Sequence, residues 1–398
     1  MVADGLPAFA LSMRICLVYD CLFPYTIGGG ERWYRSLGER LAAAGHEVTY
    51  LTLRQWPKGE RGEVPGVRVV AVGPRMSLYG ESGRRRILPP LVFGAGVLWH
   101  LVRHGRRYDV VHTSAFPYFS LLAAAAVRPL GRFRLVVEWL EVWSADYWRA
   151  YLGPLGGRIG QAVQALCMRV PQRAFCLSRV HERRLREGRV RGEITRLPGA
   201  YVGALEPAAP VLAEDVVVFA GRHIPDKRAP ALVPALARAR RDLPGLRGAI
   251  YGDGPEREEV LRLRAAHDLE EALDVPGFVN GDEIERALGH ALCMVLPSSR
   301  EGYGMVVMEA AHHGTPSVVV EGPDNAAVEL ISEGENGVVA GSASPEDLAE
   351  AIARVHAAGP ELRRSTHEWF RRNALSRSLQ SSLEIVTRSY AESASARR

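Results

Sequence analysis

The chain has 398 residues, 47% of them apolar and 24% charged, and a formal net charge of +5. This ordinary globular mixture excludes wholesale disorder, a collagen-like chain and a membrane bundle, and the length predicts two domains of roughly 200 residues each. The charge is uneven: residues 1–200 carry 29 basic and 15 acidic side chains, whereas residues 201–398 carry 21 and 30.

Residues 1–12 hold no basic segment ahead of a long apolar core, so they do not read as a signal peptide. Short β-branched runs then predict strands at 14–20, 47–53, 67–72, 109–114, 134–139 and 174–178. Helical stretches fall between them at 30–44, 90–104, 118–127, 156–170 and 179–187. Residues 199–213 are rich in Pro, Ala and Gly without periodicity and read as a linker. The pattern restarts with strands at 215–220, 247–251, 274–279, 292–296, 316–320 and 337–339. Its helices fall at 228–241, 256–267, 281–290, 304–313, 324–333, 345–357 and 361–372.

Such alternation implies parallel sheets with crossover helices, and two cycles imply two doubly wound α/β domains. The expected division is 1–200, 201–375 and a terminal helix and tail over 376–398. Ligands of such sheets bind outside the carboxyl ends of the strands, so two such domains facing each other would make a cleft. The longest apolar stretch, Ile87 to Val102, holds Pro89, Pro90 and His100 and is too short to span a bilayer. The five cysteines are odd in number and form no CxxC, which predicts buried free thiols in a reducing cytoplasm.

No strict GxGxxG occurs, so a nicotinamide or flavin oxidoreductase is disfavoured. There is no Walker A motif, no DxD and no HExxH, so the sequence shows no ligands for a catalytic metal. Four stretches remain. In Arg300-Glu301-Gly302-Tyr303-Gly304-Met305-Val306-Val307-Met308-Glu309, a strand ends and a glycine loop opens a helix near Gly304. Backbone N–H groups and the helix dipole make that a seat for a diphosphate. Glu301 would lie beside whatever the phosphate carries, and Glu309, over a turn into the helix, could accept two hydrogen bonds from a diol.

The second stretch, Gly221-Arg222-His223-Ile224-Pro225-Asp226-Lys227, follows a strand directly and would put Arg222 and Lys227 beside the phosphate seat. Fixed cations there would stabilise a leaving diphosphate. Only two lysines, Lys58 and Lys227, stand against 48 arginines, so position 227 calls for a compact ammonium in place of a planar guanidinium. The third, Gly28-Gly29-Gly30-Glu31, is a second anion-friendly loop, or simply a turn required by chain geometry. The fourth mixes Trp139, Trp143 and Trp148 with Glu138, Glu141 and Asp146. It suits a sugar or polycyclic acceptor, with Glu141, Trp143 and Asp146 as contacts, or it is an aromatic packing cluster.

At these residues the chain resembles the retaining, nucleotide-sugar-dependent glycosyltransferases of family 4, which have the GT-B fold. The resemblance runs over about 13–390 and rests on the Glu301…Glu309 spacing, on Gly221-Arg222-x4-Lys227, on Tyr251-Gly252-Asp253-Gly254-Pro255 and on Gly28-Gly29-x-Glu31. It implies two Rossmann-like domains facing across a cleft, with a terminal helix, for which residues 376–391 fit, crossing back to the first. It implies an N-terminal acceptor domain and a C-terminal donor domain, with Arg222 and Lys227 on the donor diphosphate. Glu309 would hold the ribose diol and Glu301 the donor sugar. Gly302, Tyr303, Gly304 and Met305 would line the donor, and Gly28 and Gly29 the donor–acceptor junction. No metal and no cofactor beyond the nucleoside-diphosphate sugar is implied. The mechanism implied is a same-face, ion-pair-like transfer in which the leaving phosphate takes the acceptor proton.

One position departs from the family. Many relatives carry a His after the strand that here ends near Trp139, and it contacts the donor's 6-hydroxyl; here Leu140 stands there, followed by Glu141. This favours a 6-deoxyhexose or pentose donor. Glu309 favours a ribonucleotide (UDP or GDP) over dTDP, which lacks the 2′-hydroxyl. The acceptor is a hydroxyl-bearing molecule, lipid-linked or small. Arg84, Arg85, Arg86, Arg103, Arg106 and Arg107 bracket the apolar helix and suggest either peripheral contact with anionic membrane or a helix apolar only on its core side. Nucleic acid is not expected, because no recognised motif accompanies the basic residues. The rival to a cytoplasmic enzyme is an inactive GT-B scaffold that binds a nucleotide sugar or a partner protein.

Overall fold

The computed structural model describes residues 12–26, 28–78, 80 and 85–395. Residues 1–11 of the stretch read for a leader, Arg84 of the arginine run and residues 396–398 of the polar tail lie outside them. The chain divides into two compact units. One runs as far as Ala200 and resumes at Leu379; the other is Tyr201–Ser378.

The first unit holds β1 (Arg14–Val18), β2 (Glu47–Leu53), β3 (Val67–Gly73), β4 (Val110–Ser114), β5 (Arg134–Trp139), β6 (Arg173–Cys176) and β7 (Ile194–Arg196). They form one parallel sheet in the order β3-β2-β1-β4-β5-β6-β7. The crossovers are α1 (Gly29–Ala43), α2 (Leu88–His104), α3 (Phe119–Gly131), α4 (Ala145–Arg169) and α5 (Arg179–Glu187). The central strands are covered on both faces, which is why they read as near-continuous apolar runs.

Two elements differ from the sequence expectation. Helix α4 begins at Ala145, well before 156, because the Ser144 hydroxyl caps it by accepting the Tyr147 N–H at 3.1 Å. Gly153, at φ 75°, then breaks the helix ahead of Pro154, and the second segment is the predicted one. The short edge strand β7 carries no buried alternation and is held by its pairing with β6.

The second unit holds β8 (Val216–Ala220), β9 (Arg247–Tyr251), β10 (Leu273–Gly277), β11 (Cys293–Leu296), β12 (Arg300–Glu301), β13 (Ser317–Val320), β14 (Asp324–Asn325) and β15 (Gly337–Ala340). Six of them pair in the order β10-β9-β8-β11-β13-β15, and β12 pairs with β14. The helices are α6 (Leu232–Ala239), α7 (Arg257–Ala266), α8 (Gly281–His290), α9 (Met305–His312) and α10 (Pro345–Asn373). The helix expected over 324–333 is instead β14 followed by a 3-10 turn at Ala326–Leu330. The buried Asn325 side chain donates to the Val320 carbonyl at 2.7 Å and accepts the Ala327 N–H at 3.1 Å, which keeps the chain extended there. The helices expected at 345–357 and 361–372 run together as α10, bent at Gly359, where φ is 56°.

Each sheet reverses its strand order once, between β1 and β4 in the first unit and between β8 and β11 in the second. Loops leaving the carboxyl ends of such a pair splay to opposite faces and leave a crevice between them. All five cysteines are buried free thiols.

The terminal helix α11 (Leu379–Ser395) belongs to the first unit. Its Tyr390 reaches the sheet and hydrogen-bonds Nδ1 of the fully buried His112. His112 Nε2 lies 3.4 Å from Glu138, itself buried on β5. Burial, and then the Glu138 charge, push the Tyr390 phenol well above its ordinary range, so its O–H is the donor to His112. Tyr390→Phe strips His112 of this donor inside the core. It should cost about 1–3 kcal/mol and loosen α11, seen as a lower Tm and faster amide exchange across 379–390.

Candidate functional site

In the second unit the loops after β8 and β11 leave neighbouring strands at the switch point. They are sewn together by Asp226. Its backbone carbonyl accepts the Ser299 N–H at 2.9 Å, and its carboxylate accepts from Arg300 Nη2 at 2.7 Å. This fixes Lys227 and Glu301, 74 residues apart in the chain, as an ion pair. The Ser298 hydroxyl donates to the same Glu301 oxygen at 2.8 Å. Glu301 is held from behind as well: it pairs through β12 with Asn325 of β14, and Asn325 donates to the Ser298 carbonyl at 3.2 Å. Glu301 is nearly buried, while the Lys227 side chain as a whole keeps 22% exposure. Lys227 therefore stays partly open along its side chain while its neighbour is fixed.

Helix α9 opens beside this pair. Its N-cap is Gly304 at φ 92°, a left-handed conformation that L side chains rarely adopt. A Cβ there would also lie 2.6 Å from the Cβ of Ala327. Gly304 is thus required both by backbone and by space, and the first N–H groups of α9 follow it without a side-chain cap. Tyr303 is buried, its hydroxyl donating to the Arg377 carbonyl at 3.4 Å, so it shapes the loop from inside. Gly302, Met305 and Glu309 are half-buried along the loop and the helix. Glu309 lies close enough to Tyr201 to raise its phenol pKa, second only to burial.

Arg222 is exposed at the head of the other loop. The next residue, His223, is fully buried, and burial pushes its imidazole below the ordinary range, so it is neutral and packs the loop. The glycines of Gly252-Asp253-Gly254 make this possible, since a Cβ on either would strike the backbone carbonyl of Gly221 or His223.

In the first unit the glycine loop leaves β1 at that sheet's own switch point. Gly28 is the N-cap of α1 in extended backbone, and a Cβ on it would collide with the Glu31 carboxylate. Gly30 has no room either: a Cβ would meet the Tyr19 hydroxyl and stand 3.2 Å from Leu140 Cδ1. Leu140 therefore faces the glycine loop. Gly29 starts the helix.

The aromatic stretch splits. Trp143 is buried among Phe116, Tyr147, Trp148 and Tyr151, so the packing reading holds for it. Its indole N–H donates to Glu141 at 2.8 Å and orients that half-buried carboxylate. Asp146 stands exposed in the first turn of α4, paired with Arg149 at 2.8 Å.

Several supporting residues escaped the sequence reading. Ser298, Asn325 and the Asp226–Arg300 pair all serve Glu301 and Lys227, yet only their positions beside those residues could have hinted at it. In the first unit, Asp20 at the end of β1 is fully buried and paired with Arg85, whose guanidinium lies over the Phe116 ring at 5.0 Å. This pairing links residues 65 apart in the chain and turns Arg85, read from the sequence with the arginines that bracket the apolar helix, inward instead of toward a membrane.

Comparison with known proteins gives the family and the fold. Residues 207–372 match the family of glycosyl transferases group 1, and residues 28–200 match a glycosyl transferase 4-like domain. The chain is 28% identical over 364 residues to a glycogen synthase of Mycobacterium tuberculosis, covering 86% of this chain and 85% of that one. A match to an exopolysaccharide phosphotransferase of Streptomyces coelicolor, 29% identical, spans 42% of this chain and only 18% of that protein. Among solved structures, sucrose-phosphate synthase from Thermosynechococcus elongatus superposes with a TM-score of 0.80 at 20% identity, over 96% of this chain and all of the other. Anabaena HepE in complex with UDP-glucose superposes at 0.68 and 16% identity, over 96% of this chain and all of the other.

The support behind Glu301 is open to test. Asn325→Ala removes three buried hydrogen bonds and should lower stability by at least about 1–3 kcal/mol. If the β12–β14 pairing positions Glu301, nucleotide binding should weaken too when measured below the melting transition of the variant.

Proposed function

The chain belongs to the glycosyltransferases of the GT-B, family-4-like type, and from that premise we propose that it is a retaining enzyme that uses a nucleoside-diphosphate sugar. The observation that carries this reading is the meeting of Lys227 and Glu301 at the β8/β11 switch point, beside the uncapped N-terminus of α9. A partly exposed lysine and a helix N-terminus converge where a leaving diphosphate would gain charge, which lowers the barrier to its departure. Arg222 adds a second cation at the rim. Glu301 holds Lys227 and lies against the donor sugar, and Glu309 accepts from the ribose diol. Gly302, Tyr303, Gly304 and Met305 shape the donor seat.

In this mechanism the bond from the anomeric carbon to the diphosphate oxygen breaks first. The acceptor hydroxyl then attacks from the same face, and its proton passes to the leaving phosphate oxygen. The charge that a divalent metal would neutralise is met by Lys227, Arg222 and the helix, so EDTA should leave turnover unchanged. The first unit supplies the acceptor side, with Gly28, Gly29 and the Trp143-oriented Glu141. Trp143 acts there as a positioning residue. The acceptor is a hydroxyl-bearing molecule, lipid-linked or small, met in the cytoplasm or at the inner face of the membrane.

A ribonucleotide donor follows from Glu309, and the UDP-glucose complex of HepE favours uridine. Leu140 against the glycine loop favours a donor without a 6-hydroxyl, because an apolar side chain leaves that group unpartnered at about 1–3 kcal/mol.

Release of nucleoside diphosphate from a panel of UDP-, GDP- and dTDP-sugars, with and without candidate acceptors, tests the whole reading. A chain that binds donors and turns none over would be the inactive scaffold. Lys227→Arg should reduce kcat tenfold or more, about 1.4 kcal/mol of barrier, with the fold intact; unchanged turnover would remove Lys227 from the diphosphate. Leu140→His should shift the preference of the enzyme toward a 6-hydroxylated donor by about tenfold in kcat/KM. Parent enzyme that already favours UDP-glucose over its 6-deoxy and pentose counterparts would end the 6-deoxy assignment.

A further inference from the structure

The crevice of the first sheet opens at the carboxyl ends of its strands. At the other end of that sheet, the amino ends of β4, β5 and β6 line a cavity of about 460 Å³. Val110, Leu135 and Val136 give it an apolar lining. Four arginines line it as well: Arg128 from the last turn of α3, Arg134 and Arg173 from the first positions of β5 and β6, and Arg191 from the segment ahead of β7. Among the described residues no acidic side chain lines it. An apolar pocket of this size with a few charged groups is the ordinary form of a small-molecule site.

Neutral groups orient three of these arginines. Arg128 Nη1 donates to the Pro171 carbonyl, and Arg134 Nη1 to the Tyr390 carbonyl of α11. Arg173 Nη2 donates to the Thr195 hydroxyl at 3.0 Å, while its Nη1 pairs with Glu193, which lies outside the lining. A carbonyl or a hydroxyl orients a guanidinium without cancelling its charge. Asp109, whose carboxyl feels the Arg134 charge, is already paired with Arg14 at 2.9 Å.

The fourth, Arg191, is exposed, and the backbone sets its place. Gly192 has φ 139°, and a Cβ there would strike the Gln172 carbonyl. The Gln172 N–H donates to the Arg191 carbonyl at 2.9 Å. Gln172 is buried and fixed in turn: its side chain donates to the Cys167 carbonyl at 2.8 Å and accepts from the Trp139 indole at 2.8 Å. The four cations therefore line a cavity whose wall is built before any ligand arrives.

From these observations we infer that the cavity binds a soluble phosphomonoester, a small molecule with one phosphate on a sugar-sized body. Guanidinium forks match phosphate oxygens, and arginines already held in place lose little further freedom on meeting them. A bare phosphate would leave the apolar lining uncovered, which favours the ester. Arg134 and Tyr390 both line the cavity, so an occupant joins β5 to α11 and steadies the last helix. All of these residues belong to the first unit, at the end of its sheet away from the glycine loop. The inference does not rest on donor chemistry.

Isothermal titration of the full chain with ribose 5-phosphate, ribose and inorganic phosphate, at low and high salt, tests it. Ribose 5-phosphate should bind at least tenfold more tightly than inorganic phosphate, more weakly at high salt, and ribose should not bind. Arg191→Glu should weaken the ester tenfold or more with an unchanged Tm, since the side chain it replaces is exposed, and Arg128→Gln should weaken it too. Lys227→Gln, in the second unit, should leave this affinity as it is. The bound ester should slow amide exchange across 379–390. Absence of ester binding, inorganic phosphate bound as tightly as the ester, an affinity that neither arginine variant changes, an affinity lost in Lys227→Gln, or binding that leaves exchange across 379–390 unaltered would overturn the assignment.

Discussion

A lysine and a glutamate that neutralise each other at the reversal of a parallel sheet organise the second unit. The Lys227–Glu301 pair exists because β8 and β11 are neighbours whose following loops diverge, and the Asp226 bridge keeps those loops in register. Stripping either partner would leave a poorly solvated charge, so the pair must be held from several directions. Ser298, Asn325 and the small β12–β14 ladder do this holding, and Gly304 sets the start of α9 against Ala327. The same arrangement leaves the Lys227 side chain partly exposed.

The first unit solves a similar problem with different chemistry. Its sheet also reverses once, but the crevice residues are glycines, tyrosines and Leu140 in place of cations. Its polar groups are turned inward: Asp20 with Arg85, and His112 between Glu138 and Tyr390. The second of these couples the last helix of the chain to the middle of the first sheet. Its cations lie mainly on the outside, over the helical layer and its apolar stripes. The uneven charge of the two halves leaves the first with an excess of arginines, whereas Lys227 of the second is fixed at the loop after β8.

Most of the fold was legible in the sequence, because burial on both faces of a parallel strand writes a continuous apolar run, and crossover helices write an amphipathic one. Where legibility failed, a single side chain had overridden the pattern. Asn325 turned an expected helix into a strand and a 3-10 turn, and Ser144 started α4 inside what looked like an aromatic loop. Trp143 shows the matching limit for sites. Three tryptophans among carboxylates are compatible with a sugar platform and with a core, and only its neighbours decide that the Trp143 ring packs while its indole N–H holds the half-buried Glu141.

By itself the sequence determined the class of the fold, the family resemblance and the identity of the candidate donor residues. Local spacing along a strand–loop–helix is enough to mark a candidate phosphate seat, and one of only two lysines in an arginine-rich chain marks itself. The tertiary structure alone decided which of those residues meet. Lys227 and Glu301 touch because of strand order, a property of the whole sheet that no local window contains. It alone decided, too, that α2 shows an apolar stripe on its outer face as well as its inner one. A helix that is apolar all round carries no sign in its own sequence of which side the core will take, and only packing against β3 and α3 assigns the other side to the surface.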